Sequence, residues 1–293
     1  MRNVTSPSWI YRRLYTGSVR NGLDRLIVDL MPSVLDLPNL DGWFFIRFAD
    51  SSGPHLRLRV RLPSQQASEF DAICLRALQA LPRQPPFLYR SALAVGQFGY
   101  VVPDHAVIRV AEDEYLPETD KFGKTSMGFA EDLFECSSHV ATQILEHENR
   151  GYYSRKSIVI ALMDEARRRF VPAIEPENYW EDYARLWFST SGEVGDVIWR
   201  KLEDKAVRLA DQGDLADVLS LPERARPLGE VWARALEKSA NNYRETPEEA
   251  ISPEKLAGSF AHLMNNRLGL FPLEEAYYAL LLRHACAGVR TDA

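Results

Sequence analysis

Residues 53–63, GPHLRLRVRLP, alternate between His or Arg and an aliphatic side chain. A period of two fits a β-strand and no helix, because successive strand side chains point to opposite faces. His55, Arg57, Arg59 and Arg61 therefore share one face, and Leu56, Leu58, Val60 and Leu62 the other. The preceding GWFFIRFAD (42–50) is also β-prone, and the DSSGP between them is turn chemistry, so the two are predicted to form an antiparallel hairpin. The leucine face needs a core. The basic face fits two settings: a solvated hairpin surface, or a clamp for a carboxylate or phosphate, which the guanidinium fork grips bidentately.

The same periodicity rule divides the rest of the chain. Residues 1–125 read as mixed strand and helix and 126–293 as almost wholly helical, the two parts of a single α+β domain over 1–293. SWIYRRLYT (8–16) is predicted as a strand. NGLDRLIVDLMPSVL follows as a helix, with Leu23, Leu26, Ile27 and Leu30 on one face. SQQASEFDAICLRALQAL is predicted as a Ser-capped helix, with Phe70, Ile73 and Leu78 inward. PFLYRSALAV and HAVIRVAEDEYLP read as two strands around a turn, and ETDKFGKTS as a polar loop. Helices are then expected over 127–148, 154–171, 176–211, 228–243, 252–268 and 272–288, with Pro227, Pro253 and Pro272 in breaker or first-turn positions. The polar 241–255 stretch is the candidate mobile connection.

Composition limits the function classes. A net charge of −6 argues against a general polyanion binder, and direct contact with nucleic acid is not expected. The cysteines, Cys74, Cys136 and Cys286, are far apart and lack the spacing of a zinc site or a disulfide framework. No cofactor motif is present, and a cofactor-free, cytoplasmic protein without a membrane span is expected.

Three stretches carry side chains suited to chemistry. The basic strand is the first. EYLPETDKFG (114–123) is the second, an acidic segment with Glu118 and Lys121 three apart; it reads as a solvated ion pair unless cations stand nearby. AHLMNNRLGL (261–270) is the third, with His262 ahead of Asn265 and Asn266 on a helix ending near Gly269. Its imidazole suits proton transfer near neutral pH, although a lone histidine is more often structural. The aromatic residues Tyr179, Tyr183 and Trp187 recur four apart and read as core or interface packing in preference to a substrate platform.

SWIYRRLYTG, WFFIRFADSSGPHLRLRVR, YLPETDKFG followed by AEDLFECSS, and HLMNNRLG occur in this order. In that order they resemble the C-terminal, thiopeptide-type domain of lantibiotic dehydratases, over nearly the whole chain. The resemblance implies a part in the biosynthesis of ribosomally made, modified peptides (RiPPs). In the full-length family a large N-terminal domain glutamylates Ser or Thr of a precursor peptide from glutamyl-tRNA, and the C-terminal domain eliminates glutamate to leave dehydroalanine or dehydrobutyrine. This chain is similar to the second part alone, which implies a stand-alone lyase of a split dehydratase. Its implied partners are the precursor peptide, leader plus core, and a separate tRNA-dependent glutamylating enzyme; whether it forms a homodimer stays open.

By the same resemblance the elimination residues are Arg57, Arg59, Glu118 and His262, with Lys121 where the family usually carries Arg. That exchange keeps the charge and loses the fork. His55, Asn266 and Arg267 are implied as substrate-binding. The expected architecture is an antiparallel, hairpin-rich sheet covered by the helical half, bringing His262 over the basic strand. Two other readings stand beside elimination: a pyridine synthase that joins two dehydroalanines in a formal [4+2] cycloaddition with release of the leader, and a non-catalytic peptide-binding subunit of the dehydratase.

Overall fold

The structure, a computed structural model, describes residues 6–17, 21–50, 52–83, 85, 87–89, 100–102, 107–190, 195–211, 220–246 and 251–288. These fall into two compact units, one running to Pro117 and the other from Glu118 onward.

The first unit is built on the hairpin. Strands β2 (Trp43–Asp50) and β3 (Gly53–Leu62) pair antiparallel, and β3 pairs in turn with β1 (Ser8–Tyr15). A further strand at Arg109–Asp113 joins the free edge of β1, giving the order β2-β3-β1 and then this strand. Helices α1 (Gly22–Leu35) and α2 (Ala67–Ala80) pack on each other and on this sheet. Pro32 is accommodated inside α1 because it lies on the exposed side of the helix. Ser64 opens a short 3-10 turn instead of capping α2, which begins at Ala67 without a side-chain cap.

Alternation decides what each face carries. Leu56, Leu58, Val60 and Leu62 are all fully buried, each worth about 2 kcal/mol of transfer free energy. Two arginines share this inward side, and both meet a helix carboxylate: Arg12 with Asp71 of α2 at 2.7 Å, and Arg47 with Asp24 of α1. A buried guanidinium without such a partner is costly, so these pairs fix which helix lies on which strand.

The strands expected in 86–95 and 105–117 do not form one hairpin. A two-stranded sheet joins β4 (Phe87–Tyr89) to β5 (Tyr100–Val102), while β6 (Arg109–Asp113) belongs to the main sheet beside β1. The turn expected between them falls largely outside the described residues.

The second unit is helical: α3 (Thr119–Phe122), α4 (Met127–Asn149), α5 (Val159–Phe170), α6 (Pro176–Thr190), α7 (Asp196–Asp211), α8 (Arg226–Glu245), α9 (Pro253–Leu268) and α10 (Pro272–Gly288). The fold is α+β, with the sheet in the first part of the chain and helices in the rest. The helix expected over 176–211 is two. Gly195, at φ 115°, lies just before α7 in a backbone region that side chains rarely enter. The expected polar loop contains α3, because Phe122 is fully buried against Phe134 and Phe260, and the Tyr243 hydroxyl donates to its carbonyl at 2.9 Å. Of the stretch expected to be mobile, 241–245 continues α8 and 253–255 begins α9; residues 247–250 lie outside the described set.

The end of α9 sets up the chemistry. Ser252 caps its start, accepting from the Lys255 amide, and Pro253 occupies the first turn. Gly269 ends it at φ 82°, and Pro272 opens α10 three residues later. The chain therefore doubles back, and α10 packs against α6, α7 and α5. No helix among the described residues is long and apolar enough to cross a membrane.

Candidate active site

The outward face of the first unit's sheet alternates arginines with aromatic rings. Cross-strand register places Tyr11 and Phe44 on either side of Arg59, and Arg13 and Ile46 on either side of Arg57. The Arg59 guanidinium lies 4.3 Å from the Tyr11 ring centre, 5.1 Å from Phe44 and 5.4 Å from Tyr115. Arg57 lies 3.5 Å over Phe48. Rings hold a guanidinium by their negative faces without neutralising its charge.

Among the described residues, Asp113, Asp50 and Asp41 pair with the neighbouring arginines. Arg13, directly opposite Arg57, pairs with Asp113 at 3.2 Å and with Asp50 at 3.8 Å. Arg61 pairs with Asp41 and lies over Trp9 at the strand end. Among the described residues, Arg57 has no carboxylate within ion-pair distance. Burial raises the Tyr11 phenol above its usual range against the pull of Arg59 and Arg57, so it stands among the arginines as a neutral donor.

His55, expected as a substrate-binding residue, lies within the sheet's packing. It is fully buried between Tyr15 and Phe48, with ring centres 4.5 and 5.5 Å away, and its Nδ1 donates to the Gly53 carbonyl at 3.1 Å. Burial drives its pKa down to about 4, so it is neutral packing beneath the arginines. It packs against Phe48, the ring under Arg57.

In the second unit, His262 stands on α9 at the edge of a cavity of about 750 Å³, which Lys121, Tyr179, Tyr183 and Trp187 also line. Its Nδ1 donates to Glu275 of α10, 2.9 Å from Oε1 and 3.2 Å from Oε2. The Tyr183 hydroxyl and the Asn265 amide also donate to that carboxylate, at 2.8 and 3.1 Å. Tyr183 is held well above the ordinary phenol range by burial and by the charge of Glu275, which keeps it a donor. The Trp187 ring lies flat on the imidazole, with centres 3.9 Å apart. With Nδ1 engaged, Nε2 is the ring nitrogen left for the cavity.

Lys121 lines the same cavity and meets Glu118 at 3.9 Å. Its pKa is lowered by desolvation, against the opposing pull of Glu118. Glu118 itself does not line the cavity and reaches it through Lys121. Asn266 and Arg267 are buried. Arg267, expected with Asn266 as substrate-binding, donates to the Ser138 hydroxyl of α4 and to the Leu263 carbonyl, each at 2.9 Å.

A family model for the C-terminal part of lantibiotic biosynthesis dehydratases matches residues 9–286. The chain belongs to that family. Among solved structures it is similar to the tRNA-dependent lantibiotic dehydratase MibB from Microbispora sp. 107891, at 21% identity and a TM-score of 0.59 over 100% of this chain. It spans 29% of MibB, under a third of that protein's length. It is also similar to TbtD, a pyridine synthase from thiomuracin biosynthesis, at 18% identity and a TM-score of 0.70, covering 97% of this chain and 99% of TbtD. TsrL matches at 16% identity and a TM-score of 0.60, over 99% of this chain and 96% of its own. At these identities the likeness is one of fold. No curated protein matches by sequence.

Membership of this family gives the two residue sets their interest. Within the first unit Arg57 and Arg59 share a face; within the second His262 and Lys121 share a cavity. Sequence reasoning missed Glu275 and preferred packing over a substrate platform for Tyr183 and Trp187. The four-residue spacing that suggested a buried stripe is the one that puts both rings on the cavity side of α6.

Proposed function

We propose that the chain removes glutamate from glutamylated Ser or Thr residues of a precursor peptide, leaving dehydroalanine or dehydrobutyrine, as the elimination component of a split dehydratase. The observation that carries this reading is His262. A histidine locked by Nδ1 presents Nε2 to a cavity large enough for a peptide segment, with a lysine on the same wall.

The chemistry has three demands. The Cα proton passes to His262 Nε2, the Cα–Cβ double bond forms as the Cβ–O bond breaks, and the electron pair leaves on the glutamate carboxylate. Removing a positioned proton-transfer group of this kind costs about 10²–10⁴ in rate. Arg57 and Arg59 hold the glutamyl group and offset the charge on the departing carboxylate, which fixed cations do best when sheltered from water. Lys121 adds a cation where charge develops, and Glu118 keeps it oriented. None of these steps calls for a metal or a redox group.

The second reading, a pyridine synthase, is favoured by the near end-to-end match to TbtD. The discriminating experiment supplies the protein with glutamylated peptide in one reaction and with fully dehydrated peptide in another, followed by mass spectrometry. Free glutamate and a dehydrated product from the first support elimination. A leader-free macrocycle from the second alone replaces it with the synthase. Tight leader binding with no product from either makes the chain a binding subunit.

A further inference from the structure

We infer that Glu275 is the positioning carboxylate of His262, fixing its tautomer and stabilising the imidazolium formed when it takes a proton. The inference deepens the elimination reading and, for its kinetic consequence, rests on it. Glu275 is fully buried, and it accepts from three donors on two other helices: His262 and Asn265 of α9 and Tyr183 of α6. Three donors around one carboxylate hold both oxygens in place. A carboxylate has no proton to give, so the His262 proton sits on Nδ1 and the Nε2 lone pair is available to the cavity.

A bland reading makes the same pair a buried structural contact. Two features speak against it. The Trp187 ring stacks on one face of the imidazole with planes 16° apart, so its orientation is set on its face as well as at its edge. His262 also borders the cavity, whereas a purely structural pair gains nothing by standing there. The geometry follows from the Gly269 reversal and the Pro272 start, which bring a residue thirteen positions on back beside the histidine.

The other charged groups lining the cavity are Asp120 and Lys121 of α3, Asp182 of α6, and Glu254 and Lys255 of α9. Helices α4 and α5 pack against α9, and among the described residues no group of theirs forms an ion pair with His262. Glu275 is therefore the charge in direct contact with the ring.

The test is NMR titration of the His262 imidazole in the peptide-free protein, for wild type, Glu275→Gln and Tyr183→Phe. Glu275→Gln removes the charge beside the ring and is expected to move the titration to lower pH than in wild type. Tyr183→Phe removes a donor, leaves the carboxylate a stronger acceptor, and is expected to move it to higher pH. Opposite shifts establish the coupling, and a titration unmoved by both, or moved the same way, overturns it. If Glu275→Gln does not fold, a downward or absent shift in Tyr183→Phe overturns it alone.

Kinetics supply the second readout. Elimination by Glu275→Gln is expected to fall about 10²-fold in kcat, with the acid limb of its pH profile displaced to lower pH, and Glu275→Asp to recover part of the rate. An unshifted acid limb counts against the inference. Should wild type release no glutamate, the elimination reading fails while the titration still decides the role of Glu275.

Discussion

The indole of Trp187 lies 3.9 Å from the imidazole of His262, with the two planes 16° apart. Stacking at this distance restrains the ring against rotation about its side-chain bonds. It also places the aromatic face where a protonated imidazole is stabilised by about 0.5–2 kcal/mol. Trp187→Leu is therefore expected to slow glutamate release about tenfold at saturating peptide, and Trp187→Phe much less. Steady-state kinetics on a glutamylated peptide check it. Equal loss in both variants would mean the stack contributes packing and nothing to the reaction.

Arg57 gives a cleaner assignment, because its guanidinium rests on Phe48 and on no carboxylate among the described residues. Removing it leaves no counter-charge stranded, so Arg57→Ala should fold with wild-type stability. Its elimination rate is expected to drop about 10²-fold, the scale on which fixed electrostatic donors act. Glutamylated peptide should accumulate without dehydration, read by mass spectrometry. Arg57→Lys keeps the charge but not the fork, and is expected to fall between the two.

The inward arginines behave differently. Arg12 is buried and divides its contacts between Asp71 at 2.7 Å and Glu112 at 3.0 Å. Asp71→Ala strands part of a buried guanidinium and is expected to cost about 1–3 kcal/mol in urea unfolding. The residual pairing with Glu112 keeps the loss below that of a fully orphaned charge. Arg61→Ala, at the exposed strand end, serves as the control and should change stability little.

His55 predicts a pH dependence. Its folded pKa of about 4 lies below the 6.5 of the unfolded chain, so between these values the unfolded state binds the extra proton. The stability it contributes is complete above about pH 6.5 and is lost as pH falls toward 4. Urea midpoints of wild type and His55→Leu are expected to converge over that window, and a constant difference would refute the buried neutral histidine.

These predictions also show which parts of the molecule could be read from the chain. The GPHLRLRVRLP alternation gave both faces of β3 and its hairpin partner, because strand geometry admits one solution for a period of two. It gave no means of telling Arg57 from His55, since ring packing from Phe48 and Tyr15 comes from other strands. Phe122 was lost in a polar run, although one aromatic residue there is enough to fold the segment inward onto Phe134 and Phe260. The His262 helix and its Gly269 stop were legible from capping chemistry. Glu275 was not, because a partner on the next helix leaves no spacing in the sequence of α9.

The last prediction concerns the two residue sets together. If Arg57 and His262 serve one elimination step on one peptide, each single alanine variant abolishes most of that step, and little remains for the second change to remove. The Arg57→Ala/His262→Ala double variant is then expected to be no slower than the slower single variant, as groups acting in a unit are strongly non-additive. If the two serve separate events, such as leader binding and proton transfer, their losses multiply. Single-turnover glutamate release from the four proteins distinguishes the cases. A full product of the two losses would detach the basic strand from the chemistry and leave His262 with Lys121 as the catalytic set.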